Sequence, residues 1–498
     1  MKNFIVYISA LALLLACAPS VPEQSVSMDR MPEIYPDYAG VTVPCNIAPL
    51  AFMVKEEGSA YVTNVSAGDK ALVVAGREVT FSIDEWRELL DTAKGDSVVV
   101  DVYVKGDGGW KKYQPLCFNV STDSIDQYIS YRLIPPSYVA YEDLRICQRD
   151  LSTYDEEVIY CNMLAPSEPE GQCINCHAYK NHRTDNMQFH VRQNMGGTVF
   201  VHNGNVKKVN LKTDSTISAG VYPSFNPKYD VVAYSVNNTG QIFHTKHHNK
   251  VEVQDKASDI IVYDPSNETV VHVADSPNDL EVFPCWSADG KTLFYCSAHL
   301  ERLDTAMAWE SEVVMRYKEI KYDILSRTWN PENGKFGPVD TLFEASALGK
   351  SATFPRVSPC GRYMLFALAE YGCFHIWHDD ADLYLLDMAT REFWPLEKAN
   401  SLYPESYHAW SSNGRWILFA SRRDDTNYSR LYIAHMNEFG TAEKAFLLPQ
   451  KTAGFYDFFD RSYNVPEFMV EPVKFTPHEF AEVVKGESVN VKYLPGVK

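Results

Sequence analysis

The sequence predicts a mainly β protein in two folded parts, a small N-terminal β-sandwich-like domain and a longer array of repeated hairpins. Three observations predict it. Short apolar-alternating runs bounded by Gly, Asp and Ser fill residues 41–134. An aromatic-led hairpin recurs four times after residue 222. The chain has 498 residues, 45% hydrophobic and 13% aromatic, so it is long enough for several buried cores and excludes wholesale disorder.

The first element is an export signal. Met1-Lys2-Asn3 is a short positive start, and the apolar run from Phe4 to Ala16 falls short of the roughly 20 residues that a spanning helix needs. It ends on Leu14-Leu15-Ala16-Cys17, which resembles the bacterial lipoprotein signal. The resemblance implies cleavage after residue 16, lipidation at Cys17 and a membrane attachment through acyl chains. Ala18 stands where an inner-membrane retention signal has Asp, so the expected place is the outer membrane, facing the periplasm. Residues 17–40 carry four prolines and no apolar period, which predicts a flexible tether.

Residues 41–135 are expected to form the sandwich-like domain. Asp96 to Gly106, a Gly-rich turn at 106–109 and the run from Trp110 to Val120 predict a hairpin. Ser82-Ile83-Asp84-Glu85 predicts a short capped helix. Pro135-Pro136 marks a boundary, and 136–195 is read as a connector.

Residues 196–498 carry the repeat. Tyr222-Pro223-Ser224-Phe225-Asn226-Pro227, Phe283-Pro284-Cys285-Trp286-Ser287-Ala288-Asp289-Gly290-Lys291, Phe354-Pro355-Arg356-Val357-Ser358-Pro359-Cys360-Gly361-Arg362 and Tyr407-His408-Ala409-Trp410-Ser411-Ser412-Asn413-Gly414-Arg415 share one frame, each followed by an apolar strand. A further strand ending in Asp recurs at Asp264 and Asp387. The starts are 61, 71 and 53 residues apart, a propeller blade plus insertions. These residues resemble the blades of TolB-like β-propellers, whose repeat reads aromatic-Pro-x-Trp-Ser-Pro-Asp-Gly-Lys. That resemblance implies a five- or six-bladed TolB-like β-propeller that meets envelope protein partners through its loops. Lys228-Tyr229-Asp230 in the first copy and His408 in the fourth depart from the pattern.

One motif carries chemistry. Cys173-Ile174-Asn175-Cys176-His177 fits the C-x-x-C-H pattern of c-type haem attachment, in which two thiols reach the vinyl groups and the imidazole takes the iron. With 11 Cys and 14 His, about 0.007 copies are expected by chance. The expected cofactor is haem c on Cys173, Cys176 and His177, with Met187 and His190 the leading iron ligands beyond His177. A simple disulfide, a redox dithiol or half of a zinc site with Cys147 and Cys161 are the competing readings. His244, His247 and His248 read as a solvated tract, and Asp379-Asp380-Ala381-Asp382 as a charged loop.

A formal charge of −19 with no basic stripe argues against nucleic acid. No nucleotide cofactor is expected, no G-x-S-x-G elbow is present, and no catalytic nucleophile or acid pair can be placed. The resulting expectation is a membrane-anchored envelope propeller with one covalent haem, in electron transfer or redox-linked protein assembly. The alternative is a haem-free propeller scaffold that binds envelope partners.

Overall fold

The computed structural model describes residues 19–136, 143–165, 172–244 and 251–495. The chain is mainly β and divides into two compact units. One takes the chain up to Thr122 together with Pro449–Phe458, and the other takes Asp123–Leu448 and the residues from Phe459 on. Cys17, the expected lipidation site, lies outside the described residues.

The first unit has a seven-stranded sheet around Ser97–Gly106, a three-stranded sheet, the helix Ile83–Ala93 and a single helical turn at Phe455–Phe458. Ser97–Gly106 forms the expected hairpin with Gly109–Lys112, Leu116–Val120 continues along the same edge, and Ala60–Ala67 pairs along the other. The helix Ile83–Ala93 starts where the sequence places it, with the Ser82 hydroxyl accepting the Glu85 N–H at 3.3 Å. Its buried face holds Trp86, Leu89 and Leu90, and the Trp86 indole N–H donates to the Ile47 carbonyl at 3.1 Å. The expected tether is not one from residue 19 on. Val26–Ser27 pairs with Gly109–Lys112, Ile34–Tyr35 pairs with Phe52–Val54, and Tyr38 is buried. Ile34 and Tyr38 supply apolar surface that the prolines obscured.

The second unit is a six-bladed β-propeller. Blade 1 closes the ring with both ends of this unit: its inner strand Ser462–Met469 pairs with Tyr128–Ile134, followed by Arg145–Asp150 and Glu156–Cys161. Blade 2 runs Gln172–Lys180, Arg183–Gln193, Gly197–His202 and Asn205–Asn210. The segment 136–195 is therefore not a connector, and the propeller starts near residue 123 rather than 196. Blade 3 runs Val221–Phe225, Val232–Phe243, Val251–Asp264 and Thr269–Ala274. Blades 4, 5 and 6 begin at Asp279–Trp286, Ser351–Val357 and Glu405–Trp410. The inner strands touch their neighbours in this order, and the last touches the first.

Second strands such as Tyr363–Ala369 and Trp416–Ser421 are buried along their whole length, because each is covered by a blade on both faces. This explains their unbroken apolar runs. The recurrent Asp turns the chain into the fourth strand. Asp264 accepts the backbone N–H of Ser266 and Asn267, and Asp387 those of Ala389 and Thr390. After the ring closes, Thr476 and Glu479 form a capping box for the helix Pro477–Lys485, whose Phe480 packs on Phe189 of blade 2. Val489–Asn490 and Lys492–Tyr493 then add to the outer edges of blades 2 and 3.

Gly290 makes the hairpin turn of blade 4 at φ +72°, and a Cβ there would lie 2.3 Å from Asn226 Oδ1. That amide holds Lys228 and Tyr229 in blade 3 and donates to the Gly290 carbonyl, so it has no room to yield. Gly290→Ala should lower unfolding free energy by about 2 kcal/mol in chemical denaturation. Gly334→Ala, at φ +69° with open space around it, should cost about half as much.

Candidate functional site at the propeller axis

Every inner strand breaks register with its neighbour at an equivalent place, where two residues face one. The displaced pairs are Cys176-His177, Tyr222-Pro223, Phe283-Pro284, Phe354-Pro355, Tyr407-His408 and Val465-Pro466. The first residue of each is left-handed, at φ 57°, 49°, 54°, 53°, 49° and 48°. A non-glycine residue held there costs about 1–3 kcal/mol, so the ring around it must impose the conformation. Two residues further on stand Tyr179, Phe225, Trp286, Val357, Trp410 and Phe468. Cys176-His177 is thus the blade 2 copy of the aromatic-Pro repeat, and Val465-Pro466 is the blade 1 copy.

This position decides what surrounds the C-x-x-C-H residues. Cys173 is half-buried and sits opposite Arg192 on the second strand. Cys176 is buried, and its Sγ accepts the Tyr222 N–H of blade 3 at 3.4 Å. Burial pushes this thiol up, against the pull of Arg192. His177 is 1% exposed, and neither ring nitrogen makes a hydrogen bond of good geometry, although the Ser130 and Val465 backbone weakly favours its protonated form. Burial, and then the Arg132 guanidinium, lower its pKa to about 3, so the ring is neutral. All ten described cysteines are free thiols.

The two further ligands are not gathered there. Met187 enters the apolar core between blades 1 and 2 with Ile174, Phe189 and Val191. His190 lies one strand out, opposite Asn175, with Nδ1 3.1 Å from the Thr198 hydroxyl. Strand alternation sends these two side chains to different surroundings, which their closeness in sequence concealed.

The orphaned nitrogens of His177 and the two thiols are the donors that a c-type haem uses, but the space is not. The cavity touching Cys176 and His177 measures about 20 Å³, room for about one water, where ligand pockets run to about 300–1,000 Å³. In this packing the residues do not fit the macrocycle. Among the described residues, no group of three or more His, Cys, Asp or Glu is placed to hold a metal ion. His247 and His248 lie outside the described residues.

A larger cavity of about 350 Å³ opens on the same axis, on the side where the hairpins turn. Tyr179, Phe225 and Trp410 are among its walls, Asn181, His182 and Lys228 stand at its rim, and Arg356 and Glu467 face each other within it. Their nearest atoms are 3.7 Å apart, from blade 5 to blade 1. Burial raises the Glu467 carboxyl, and Arg356 opposes that shift. On the other side the Phe374 ring covers the axis, 6.0 Å from the rings of Tyr222 and Phe283. Sequence reasoning did not single out Arg356 or Glu467. The available signal was a charge at the residue after the aromatic-Pro pair, where other copies carry Ala178, Ser224, Cys285 and Ala409.

No family model and no curated protein matches the chain. Among solved structures, it is similar to a periplasmic gluconolactonase from Pseudomonas aeruginosa, 11% identical over 68% of this chain and 99% of that one, with a TM-score of 0.32. An oligogalacturonate lyase from Vibrio parahaemolyticus is 14% identical over 78% and 100%, with a TM-score of 0.33. The propeller domain of the Trilobed protease from Pyrococcus furiosus is 11% identical over 72% and 96%, with a TM-score of 0.32. The strand pairing within this chain itself defines the propeller.

His177, His190, His375 and His408 all have pKa values lowered to about 3 by burial. Unfolded, each titrates near 6.5, so their contribution is fully present above that pH and is lost as pH falls towards 3. Asp255 and Glu281, raised by burial to about 7 and about 8, act in the opposite sense, losing their contribution as pH rises through those values. His177→Pro matches four of the six copies and should fold. Its melting temperature should fall less than the parent's between about pH 6.5 and 4, and comparison at each pH cancels the other groups.

Proposed function

We propose that this chain is an exported, lipid-anchored propeller of TolB-like type that binds partners in the cell envelope, with its C-x-x-C-H residues serving as blade structure and not as a haem clasp. What carries the reading is the coincidence of Cys176-His177 with the displaced pair of the blade repeat. Five other blades solve the same backbone problem with an aromatic or Val followed by Pro or His, and no cofactor is part of that solution. The hairpin turns around the open mouth of the axis present the loops through which a partner is met. The anchor is the Cys17 acyl group implied by the signal-like start.

A covalent haem remains the second reading, favoured by one observation: both nitrogens of the buried His177 lack a hydrogen bond of good geometry beside two free thiols. Attachment there requires the inner strand of blade 2 to part from blade 3. The chain purified from membranes of a host competent in cytochrome c maturation separates the two. The expected intact mass is that of an acylated polypeptide starting at Cys17 with no porphyrin, and a pyridine haemochrome spectrum should show no band. A mass increased by one haem, lost in Cys173→Ala and Cys176→Ala, overturns the haem-free reading. An unacylated mature chain overturns the anchor.

A further inference from the structure

We propose that the axial cavity is a binding site for a free α-amino acid with an apolar or aromatic side chain, held by Arg356 through its carboxylate and by Glu467 through its ammonium group. This goes beyond partner binding by the loops and does not depend on it.

The repeat itself gives the strongest reason. Six structurally equivalent positions follow the displaced pairs: Ala178, Ser224, Cys285, Arg356, Ala409 and Glu467. Four are small and uncharged, and the small polar ones serve the ring. Ser224 Oγ accepts the Trp286 N–H at 3.3 Å, and Cys285 Sγ accepts the Val357 N–H at 3.5 Å. Blade packing therefore needs nothing larger than Cys here. Two long, oppositely charged side chains at this position are not demanded by the fold, and enclosing charge is costly unless it is well paired.

They are not well paired with each other. The 3.7 Å separation is an ion pair without a hydrogen bond, and neither head group makes a hydrogen bond elsewhere among the described residues. Arg356 and Glu467 side chains keep 27% and 20% of their surface, and both stand on the wall of the 350 Å³ cavity. The guanidinium offers two parallel donors, which match a carboxylate. The carboxylate beside it accepts from an ammonium group. A ligand whose opposite charges sit on one carbon can meet both at once, arranged head to tail against the pair.

The rest of the wall selects the side chain. Tyr179 and Phe225 are partly exposed and, with Pro223 and Pro359, line the same cavity as the charged pair. The volume exceeds that needed by the two charged groups alone, leaving an apolar space for one side chain. Phe374 covers the opposite side of the axis, so the ligand enters from the hairpin side.

Isothermal titration of the full-length protein in detergent with L-phenylalanine tests this, alongside N-acetyl-L-phenylalanine and L-phenylalanine amide. L-phenylalanine should bind with a dissociation constant below about 1 mM, and each blocked form at least about tenfold more weakly. Glu467→Gln should lose affinity for phenylalanine but bind the N-acetyl form as the parent does, because that ligand has no ammonium group to lose. Arg356→Gln should behave likewise towards the amide. No binding at about 10 mM, or equal binding of the three ligands, overturns the proposal. The parent protein with blocked ligands decides the question even where a variant fails to fold.

Discussion

The structure depends on one constraint: six strands converge on a common axis, and each must shed two residues from its ladder to pass there. The shedding leaves a left-handed non-glycine residue in every blade, from Cys176 round to Val465. No single blade would hold such a conformation for about 1–3 kcal/mol. Mutual packing does it instead, as when Phe283 and Phe354 bring their ring centroids to 4.0 Å. The strain is shared by a ring and cannot be relieved one blade at a time.

The same constraint explains which parts of the fold were legible in the sequence. Four copies keep an aromatic at the displaced position and three of them keep Pro after it, so the pattern stands out. The remaining two carry Cys176-His177 and Val465-Pro466, which satisfy the same backbone with other side chains. Cys176 fills a buried position as a small hydrophobe, and His177 replaces Pro as His408 does in blade 6. Chemistry-bearing residue types thereby hid a blade repeat inside what reads in sequence as a connector. The segment expected to be a tether reads so for a related reason: prolines in 19–40 break periodicity, although Ile34 and Tyr38 are as buried as residues in regular strands.

The candidate site was less legible than the fold. C-x-x-C-H is a local pattern, and local patterns can be read from order. Arg356 and Glu467 are 111 residues apart and meet only because the ring brings blades 1 and 5 to one axis. Their significance rests on a comparison with four equivalent positions, one of them in the disguised blade 2. Met187 and His190 show the converse, since proximity in the chain placed them together and strand alternation separated them.

The closure of blade 1 has a consequence for how the molecule comes into being. Ser462–Met469 must find Tyr128–Ile134 across more than three hundred residues of intervening chain. During synthesis, the first three strands of that blade wait with one long edge unsatisfied, and nothing local can cover it. A nascent propeller of this design stays open until almost its last segment arrives. A chain that ends after blade 6 but before residue 462 therefore leaves the ring gapped, with an edge open to pairing with foreign strands.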